Sequence, residues 1–465
     1  MVVVTRKENE GLLYPQQARM EPRVGLLVVY SLSSPQYCFF PWRGESLYVG
    51  RDELIAAGIA DEYTSKRHLR VDWNGDQLTV RDERSTNGTF LNGEALRAPA
   101  VAAPPAVLRI GRTLFLCVND TVNPMDAGVR VDAGVVAGPK MQALFRQIDL
   151  IAASGESLLV IGESGAGKEL AVKRYHHGFA GPGAPFVAVN CATIPRELAE
   201  RLLFGARRGA FSGAVADADG YIQAAHGGTL FLDEIIELEL CNQTKLLRVL
   251  ETRLVQALGA NRPQRVELRL CAAAQRDLRQ EVALGKFRED LYFRIGRPAL
   301  SIPPLRERLE EIPRLIELTL RRFTDHLETR LPSGLLASSG FVEACLLRLW
   351  PGNVRELQTE VRSAALRAAL EGASVLGPQH LGEQAGLRMS PLPAPPQAQP
   401  PGMAAGQREE APPASDEAQR CEAALRQEHG NINRAAQELG VTRSKLRRLI
   451  KRHKLDVARL RQMTK

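Results

Sequence analysis

Eight consecutive residues, Gly162-Glu163-Ser164-Gly165-Ala166-Gly167-Lys168-Glu169, follow an apolar run at 158–161 and precede a helical pattern. The spacing G-x-x-x-x-G-K suits a phosphate chain. Glycines let successive backbone N–H groups turn toward the anion, Lys168 adds a point charge at the outer phosphates, and the helix N-terminus behind it favours negative charge. Glu169 stands where a magnesium-binding Ser or Thr usually follows the lysine. A second apolar run, 229–232, ends in Asp233-Glu234, 65 residues beyond Lys168. Two acids at a strand end suit holding magnesium (Asp233) and polarising a water (Glu234). In this order the two patterns read as a site for ATP and Mg2+.

Two further stretches are built to meet anions. Ten Lys/Arg lie between 440 and 465, at 443, 445, 447, 448, 451, 452, 454, 459, 461 and 465, against the single acid Asp456. The whole chain carries a formal +8, so the surplus lies in this tail and the rest is close to neutral. A basic end on a neutral body points to a polyanionic partner. Nearer the start, Gly50-Arg51, Ser65-Lys66-Arg67-His68 and Ser85-Thr86-Asn87-Gly88-Thr89-Phe90-Leu91-Asn92-Gly93 lie at or near loops between short apolar runs. Together they gather cations with several hydrogen-bond donors.

The elements that must position these residues fall into successive segments. Residues 24–120 alternate apolar and polar in short runs, separated by turn signals such as Asn74-Gly75 and Asn92-Gly93, which predicts a β-sandwich. Residues 130–310 alternate apolar runs (158–161, 186–189, 229–232, 268–273, 300–303) with helical patterns, as in an α/β nucleotide-binding core. The pattern over 311–385 is helical and predicts a small lid. Residues 386–415 form a linker, with eight prolines between 391 and 413. Over 416–460 the spacing predicts three short helices, the last capped by Thr442, with Ala435, Leu439, Val441, Leu446, Leu449 and Ile450 as a small core. Arg443, Ser444, Lys445, Arg447, Arg448, Lys451 and Arg452 would face outward, so that a helix-turn-helix presents its second helix to a DNA major groove.

Residues 130–385 resemble the AAA+ domain of bacterial enhancer-binding proteins, which remodel sigma-54 RNA polymerase. The most specific element is Gly209-Ala210-Phe211-Ser212-Gly213-Ala214, where the family's motif reads Gly-Ala-Phe-Thr-Gly-Ala. The flanks agree: Asn190-Cys191, Leu203-Phe204-Gly205 and Gly227-Gly228. A glycine-flanked loop with an apolar tip at Phe211 is a contact element for another protein. The resemblance implies that Asn190 restrains the catalytic glutamate, that Arg288 and Arg294 reach a neighbouring subunit's ATP, and that Arg355, in Trp350-Pro351-Gly352-Asn353-Val354-Arg355, senses the nucleotide. One departure stands out. The family usually has Ala-Thr-Asn-Arg-Asp-Leu after the fourth strand, and this chain has Ala273-Ala274-Gln275-Arg276-Asp277-Leu278.

The three patterns at 50–93 resemble a forkhead-associated (FHA) domain, which binds phosphothreonine peptides. That resemblance implies that Arg51, Ser65, Lys66 and Thr86 hold the phosphate and Asn87 the peptide backbone, while Gly50 and His68 shape the loops. The tail, with His429-Gly430-Asn431, Ala435-Ala436 and Leu439-Gly440-Val441-Thr442-Arg443, resembles the Fis-type DNA-binding domain of sigma-54 activators.

The expectation is a multidomain regulator: an FHA β-sandwich, an α/β AAA+ P-loop ATPase with a helical lid, and a small all-α helix-turn-helix. Its partners would be sigma-54 RNA polymerase, upstream enhancer DNA, a phosphothreonine protein or Ser/Thr kinase, and further copies of itself, as dimer and hexamer. Seven scattered cysteines without a Cys-x-x-Cys pair argue against a disulfide framework or zinc site. The first residues lack a signal-peptide layout and no run of eighteen apolar residues occurs, so a cytoplasmic protein without membrane association is expected. The competing expectation is a non-enzymatic DNA-binding regulator whose AAA+ domain is weakened at Ala274 and Gln275.

Overall fold

The computed structural model describes residues 23–388 apart from 45, 121–127, 182, 212–213 and 327–334, and beyond 388 only 423–425, 427, 435, 436, 446 and 450. The first ten strands are β1 (Arg23–Ser31), β2 (Ser34–Pro41), β3 (Ser46–Val49), β4 (Leu69–Trp73), β5 (Leu78–Asp82), β6 (Thr89–Leu91), β7 (Glu94–Ala95), β8 (Ala100–Ala102), β9 (Ala106–Ile110) and β10 (Thr113–Asp120). They form two antiparallel sheets, β2-β1-β10-β9-β6-β7 and β3-β4-β5-β8. Leu26, Val28, Val71, Leu108 and Phe115 fill the space between them.

An antiparallel sheet usually keeps one face polar. Here β1 reads Leu26-Leu27-Val28-Val29 and β10 reads Leu114-Phe115-Leu116-Cys117, apolar on both faces. The alternate residues Leu27, Val29, Leu114 and Leu116 belong to a second core that they share with the lid residues Ile312, Ile316, Phe341 and Trp350. The outer face of the sandwich is therefore covered by the lid.

A hairpin, β11 (Arg130–Asp132) and β12 (Val135–Ala137), leads into the α/β core. Five strands of that core are parallel: β13 (Leu158–Ile161), β14 (Phe186–Asn190), β15 (Thr229–Asp233), β18 (Arg269–Ala274) and β19 (Ala299–Ser301), in the order β14-β15-β18-β13-β19. A short hairpin, β16 (Leu254–Val255) and β17 (Gln264–Arg265), intervenes. Parallel strands covered on both faces are apolar throughout. Leu158 and Val160 face a helical layer with Met141, Val172 and Tyr175, while Leu159 faces Leu246 and Leu291 on the other side. The lid combines the helices Ile312–His326, Ser339–Leu346 and Asn353–Leu370 with one short parallel pair, β20 (Leu336–Ala337) and β21 (Val375–Leu376).

Residues 391–465 form a separate unit. Its described residues are helical, with Ala424, Leu425, Ala435, Ala436 and Leu446 buried. Of the expected small core, Ala435 and Leu446 are buried, and Leu439, Val441 and Leu449 lie outside the described residues. The residues expected to face DNA, Thr442, Arg443, Ser444, Lys445, Arg447, Arg448 and Lys451, lie outside the described residues. Among the described residues no helix is long and apolar enough to cross a membrane.

Candidate functional site

The C-terminal ends of adjacent parallel strands bring the chemistry together, as is general for open α/β sheets. The register pairs Asn190 with Asp233 and Ile161 with Ala274. Gly162 N–H donates to the Ala274 carbonyl at 3.0 Å, which ties the start of the phosphate loop to β18. Gly165 and Gly167 have φ of +71° and +112°, and a Cβ at Gly165 would overlap the Gly352 carbonyl of the lid. Only glycine allows that turn and that approach.

A cleft of about 680 Å³ opens here. Ser164 to Glu169, Asn190, Asp233, Glu234, Gln275 and, from the lid, Arg355 line it. Lys168 is only 8% exposed; its Nζ donates to the Gly162 carbonyl at 3.0 Å and lies 3.4 Å from Glu234 Oε1. A buried ammonium requires such partners. The Glu234 backbone sits in the left-handed region at φ +50°, and its N–H donates to Asp233 Oδ1 at 3.0 Å. Burial and the neighbouring Glu234 charge hold the Asp233 carboxyl above the usual carboxylate range, against the opposing pull of Lys168. A divalent cation beside Asp233 would reverse that shift.

Three predicted residues have neighbours that sequence alone does not reveal. Asn190 Oδ1 accepts from Ala192 N–H at 2.9 Å, capping the turn after β14. It is Gln275 whose Nε2 donates to Glu234 Oε1, at 2.8 Å. Glu163 is held by Arg306 through two bonds of 2.7 and 2.9 Å and by Asn353 Nδ2 at 3.0 Å, which joins the phosphate loop to the lid. Arg306, Arg308 and Asn353 were not anticipated as site residues. Arg308, fully buried with Glu311, donates to the Ala166 carbonyl at 2.7 Å. Charged residues at 306–311 within an otherwise helical, apolar stretch were the available signal. Arg355 Nη1 donates to Ser164 Oγ at 3.3 Å, while Glu169 pairs with Lys173 along its own helix.

Arg288 and Arg294 do not line the cleft. Arg288 makes a bidentate pair with Asp290, at 2.6 and 3.0 Å, and Arg294 reaches the Leu250 carbonyl at 3.3 Å from an exposed position. In the loop motif, Gly209 N–H donates to the Ala214 carbonyl at 2.9 Å and Ala210 packs against Gly259. Phe211 is 40% exposed, with the Arg201 guanidinium 5.7 Å from its ring centre. Ser212 and Gly213 lie outside the described residues.

The sandwich loops also converge. A Cβ at Gly50 would overlap the Lys66 carbonyl, so glycine lets the two loops touch. Arg51 Nε donates to the Thr64 carbonyl at 2.8 Å, Thr86 N–H donates to Ser65 Oγ at 3.1 Å, and Asn87 Nδ2 donates to the Tyr63 carbonyl at 2.7 Å. Lys66 is exposed beside them. Buried His68 accepts from Ser65 N–H on Nδ1 at 3.0 Å, and its Nε2 lies 3.1 Å from the Gly88 carbonyl. Only a neutral ring protonated on Nε2 satisfies both contacts. Burial accordingly holds the His68 pKa below the usual histidine range, against the Gly88 hydrogen bond.

Comparison with known proteins assigns each segment. Residues 135–301 match the family model of the sigma-54 interaction domain, and residues 306–391 that of the AAA+ ATPase lid domain. Residues 47–113 match the FHA domain, and residues 415–453 the Fis family of bacterial regulatory proteins. The nitric oxide reductase transcription regulator NorR2 of Cupriavidus necator is 40% identical over 395 residues, 81% of this chain and 71% of that protein. The transcriptional regulatory protein GlrR of Escherichia coli is 38% identical over 337 residues, 70% of this chain and 69% of that protein. Among solved structures, NtrX from Brucella abortus aligns with a TM-score of 0.49 at 27% identity, over 69% of each chain.

Proposed function

This chain belongs to the family of sigma-54-dependent transcriptional regulators, AAA+ ATPases with a Fis-type helix-turn-helix, and from that membership we propose how it works. The tail binds upstream DNA through Thr442, Arg443, Ser444, Lys445, Arg447, Arg448 and Lys451. The AAA+ domains of several copies assemble, and hydrolysis of ATP drives the Phe211 loop against sigma-54 so that the promoter complex opens.

The observation that carries this reading is the half-buried Lys168–Glu234 pair at the mouth of β13 and β15. Two charges keep one another in a cleft that has the shape and donors of a phosphate cradle. Arriving phosphates take Lys168, and Glu234 is released to orient a water and accept its proton. Magnesium, held by Asp233 together with the phosphates, would neutralise their charge. Glu169, the residue after Lys168, pairs with Lys173 and lacks the hydroxyl that would otherwise hold the ion there. Arg288 and Arg294, which do not line their own cleft, serve the ATP of a neighbouring copy in this reading, which ties hydrolysis to assembly. The FHA loops, with Arg51, Ser65, Lys66, Thr86 and Asn87, take a phosphothreonine segment of a partner protein or kinase and set the activity of the ring.

ATP-dependent open-complex formation on a sigma-54 promoter, wild type beside Glu234→Ala, tests the reading. Opening by the wild type alone supports it. Promoter binding without nucleotide-dependent opening by the wild type favours a non-enzymatic regulator. Against that rival stands the Gln275–Glu234 hydrogen bond, which keeps a donor on the catalytic carboxylate despite the altered segment.

A further inference from the structure

The sandwich and the lid share more than an apolar core. Tyr30 Oη donates to the Ala337 carbonyl at 2.6 Å in a buried setting. Arg109 Nε donates to Glu343 Oε2 at 2.6 Å, with the two side chains only 21% and 7% exposed. Ser339 Oγ donates to the Arg112 carbonyl at 2.6 Å, and the turn at Gly93 lies against Leu347. Glu343 Oε1 is buried without a partner. A buried charge pair with one unsatisfied oxygen contributes less than its geometry implies.

Each side of this seam runs directly into a candidate site. On the sandwich side, Arg112 N–H donates to Asp61 Oδ2 at 2.8 Å, and its guanidinium lies over the Tyr63 ring, 4.0 Å from its centre. The Tyr63 carbonyl holds Asn87, and the adjacent Thr64 carbonyl holds Arg51. Arg109 also lies over Phe90, 3.7 Å from the ring centre, on the strand that follows Thr86 and Asn87. On the lid side, the helix Ser339–Leu346 leads through buried Trp350 to Asn353, which donates to Glu163 and to the Ser164 carbonyl, both at 3.0 Å.

We propose that the outer sheet of the sandwich is a docking surface for the lid helix Ser339–Leu346, through which phosphopeptide occupancy and nucleotide occupancy are reciprocally coupled. This rests on the phosphothreonine reading of the FHA loops. A nucleotide touches both core and lid, at Lys168 and Arg355, so its affinity differs between lid positions. A phosphopeptide that draws on Arg51 and Asn87 moves the carbonyls of Tyr63 and Thr64 and, through Arg112, the anchor of Ser339. A ligand that discriminates between two arrangements shifts their populations, and the effect on the other ligand is equal by linkage.

The test uses the full chain and a fluorescent phosphothreonine peptide, the tightest binder from a degenerate library with that residue fixed. Its Kd is measured without nucleotide, with ADP and with a hydrolysis-resistant ATP analogue. Coupling predicts a change of at least about fivefold between two of these states, and the same factor in the analogue's Kd when peptide saturates. Replacing the seam pair by apolar residues (Arg109→Met with Glu343→Leu) or removing one anchor (Ser339→Ala) should shrink that factor toward one. Equal peptide affinity in all nucleotide states overturns the coupling. A peptide that binds no state overturns the phosphothreonine reading instead, and hydrogen exchange then decides whether the seam answers to nucleotide. Amides of 106–110 and 339–346 whose exchange changes with the ATP analogue support that response, and unchanged exchange overturns it.

Discussion

Gln275 Nε2 and Glu234 Oε1 lie 2.8 Å apart, a hydrogen bond from the residue after β18 to the residue after β15 that holds one oxygen of the carboxylate. Asparagine, the family's residue here, is one methylene shorter. Asn190, the residue expected to restrain the glutamate, spends its carboxamide oxygen on Ala192. Among the described residues it is Gln275, on the other side of β15, that donates a side-chain amide to Glu234.

Gln275→Ala should therefore lower kcat for ATP on the order of tenfold, short of the about 10²-fold or greater loss from removing a general base in Glu234→Ala. Nucleotide affinity should stay within about twofold, because no phosphate contact is removed. Steady-state ATPase assays beside binding of a fluorescent ATP analogue separate the two. A large loss of affinity with kcat intact would sink the orienting role.

Asn353 carries the joint between lid and phosphate loop. It is fully buried, sits at φ +51°, accepts from Leu305 N–H at 2.8 Å and donates to Glu163 and Ser164. Asn353→Ala orphans the Leu305 N–H and forces a Cβ-bearing apolar residue into the left-handed region, for a loss of about 3 kcal/mol. Asn353→Gly keeps the backbone relaxed and should lose less. Urea unfolding followed by intrinsic fluorescence ranks the two; equal losses would remove the backbone component.

Phe211 exposes an aromatic ring on a turn closed by the Gly209–Ala214 hydrogen bond. Phe211→Ala should leave ATP hydrolysis within about twofold, since Phe211 does not line the phosphate cleft, and abolish nucleotide-dependent capture of sigma-54. Capture by the variant in the presence of a transition-state analogue would show that the ring is not the contact.

His68 predicts a pH dependence. Burial depresses its folded pKa below the ordinary value, so the unfolded chain binds the proton more readily. The stabilisation from the neutral ring is full above the unfolded pKa of about 6.5 and is lost as pH falls through the folded value. Protonation also removes the Nδ1 acceptor for Ser65 N–H and loosens the loop that holds Arg51 and Thr86. Unfolding of the FHA segment should ease from pH 7 to pH 5, and His68→Gln should flatten that slope. An identical slope in the variant would place the titration elsewhere.

The periodic elements were legible. The apolar runs at 158–161, 186–189 and 229–232 became the strands Leu158–Ile161, Phe186–Asn190 and Thr229–Asp233, because a covered parallel strand must be apolar throughout. β2 is harder to read from the sequence, since Pro35 and Pro41 near its ends are strand breakers while Cys38-Phe39-Phe40 between them pairs with β1. The lid was expected to be wholly helical and contains the β20–β21 pair, too short to leave a period. Motif spacing located Lys168, Asp233 and Glu234, but not Arg306, Arg308 or Asn353, whose roles come from contacts more than 100 residues distant along the chain. The two-faced apolar runs of β1 and β10 did carry a signal for the seam. An antiparallel strand without a polar face asks for a cover on each side.

That missing polar face limits how the protein can be divided. Cutting the chain between 120 and 130 would strip the lid from Leu27, Val29, Leu114 and Leu116, and strip those residues from Phe341 and Ile316. Both fragments would present a contiguous oily surface to water, a setting that favours aggregation. The FHA segment and the ATPase are thus not interchangeable modules on a string. A graft that swaps one front end for another must carry a matching face, or bring its own half of the lid.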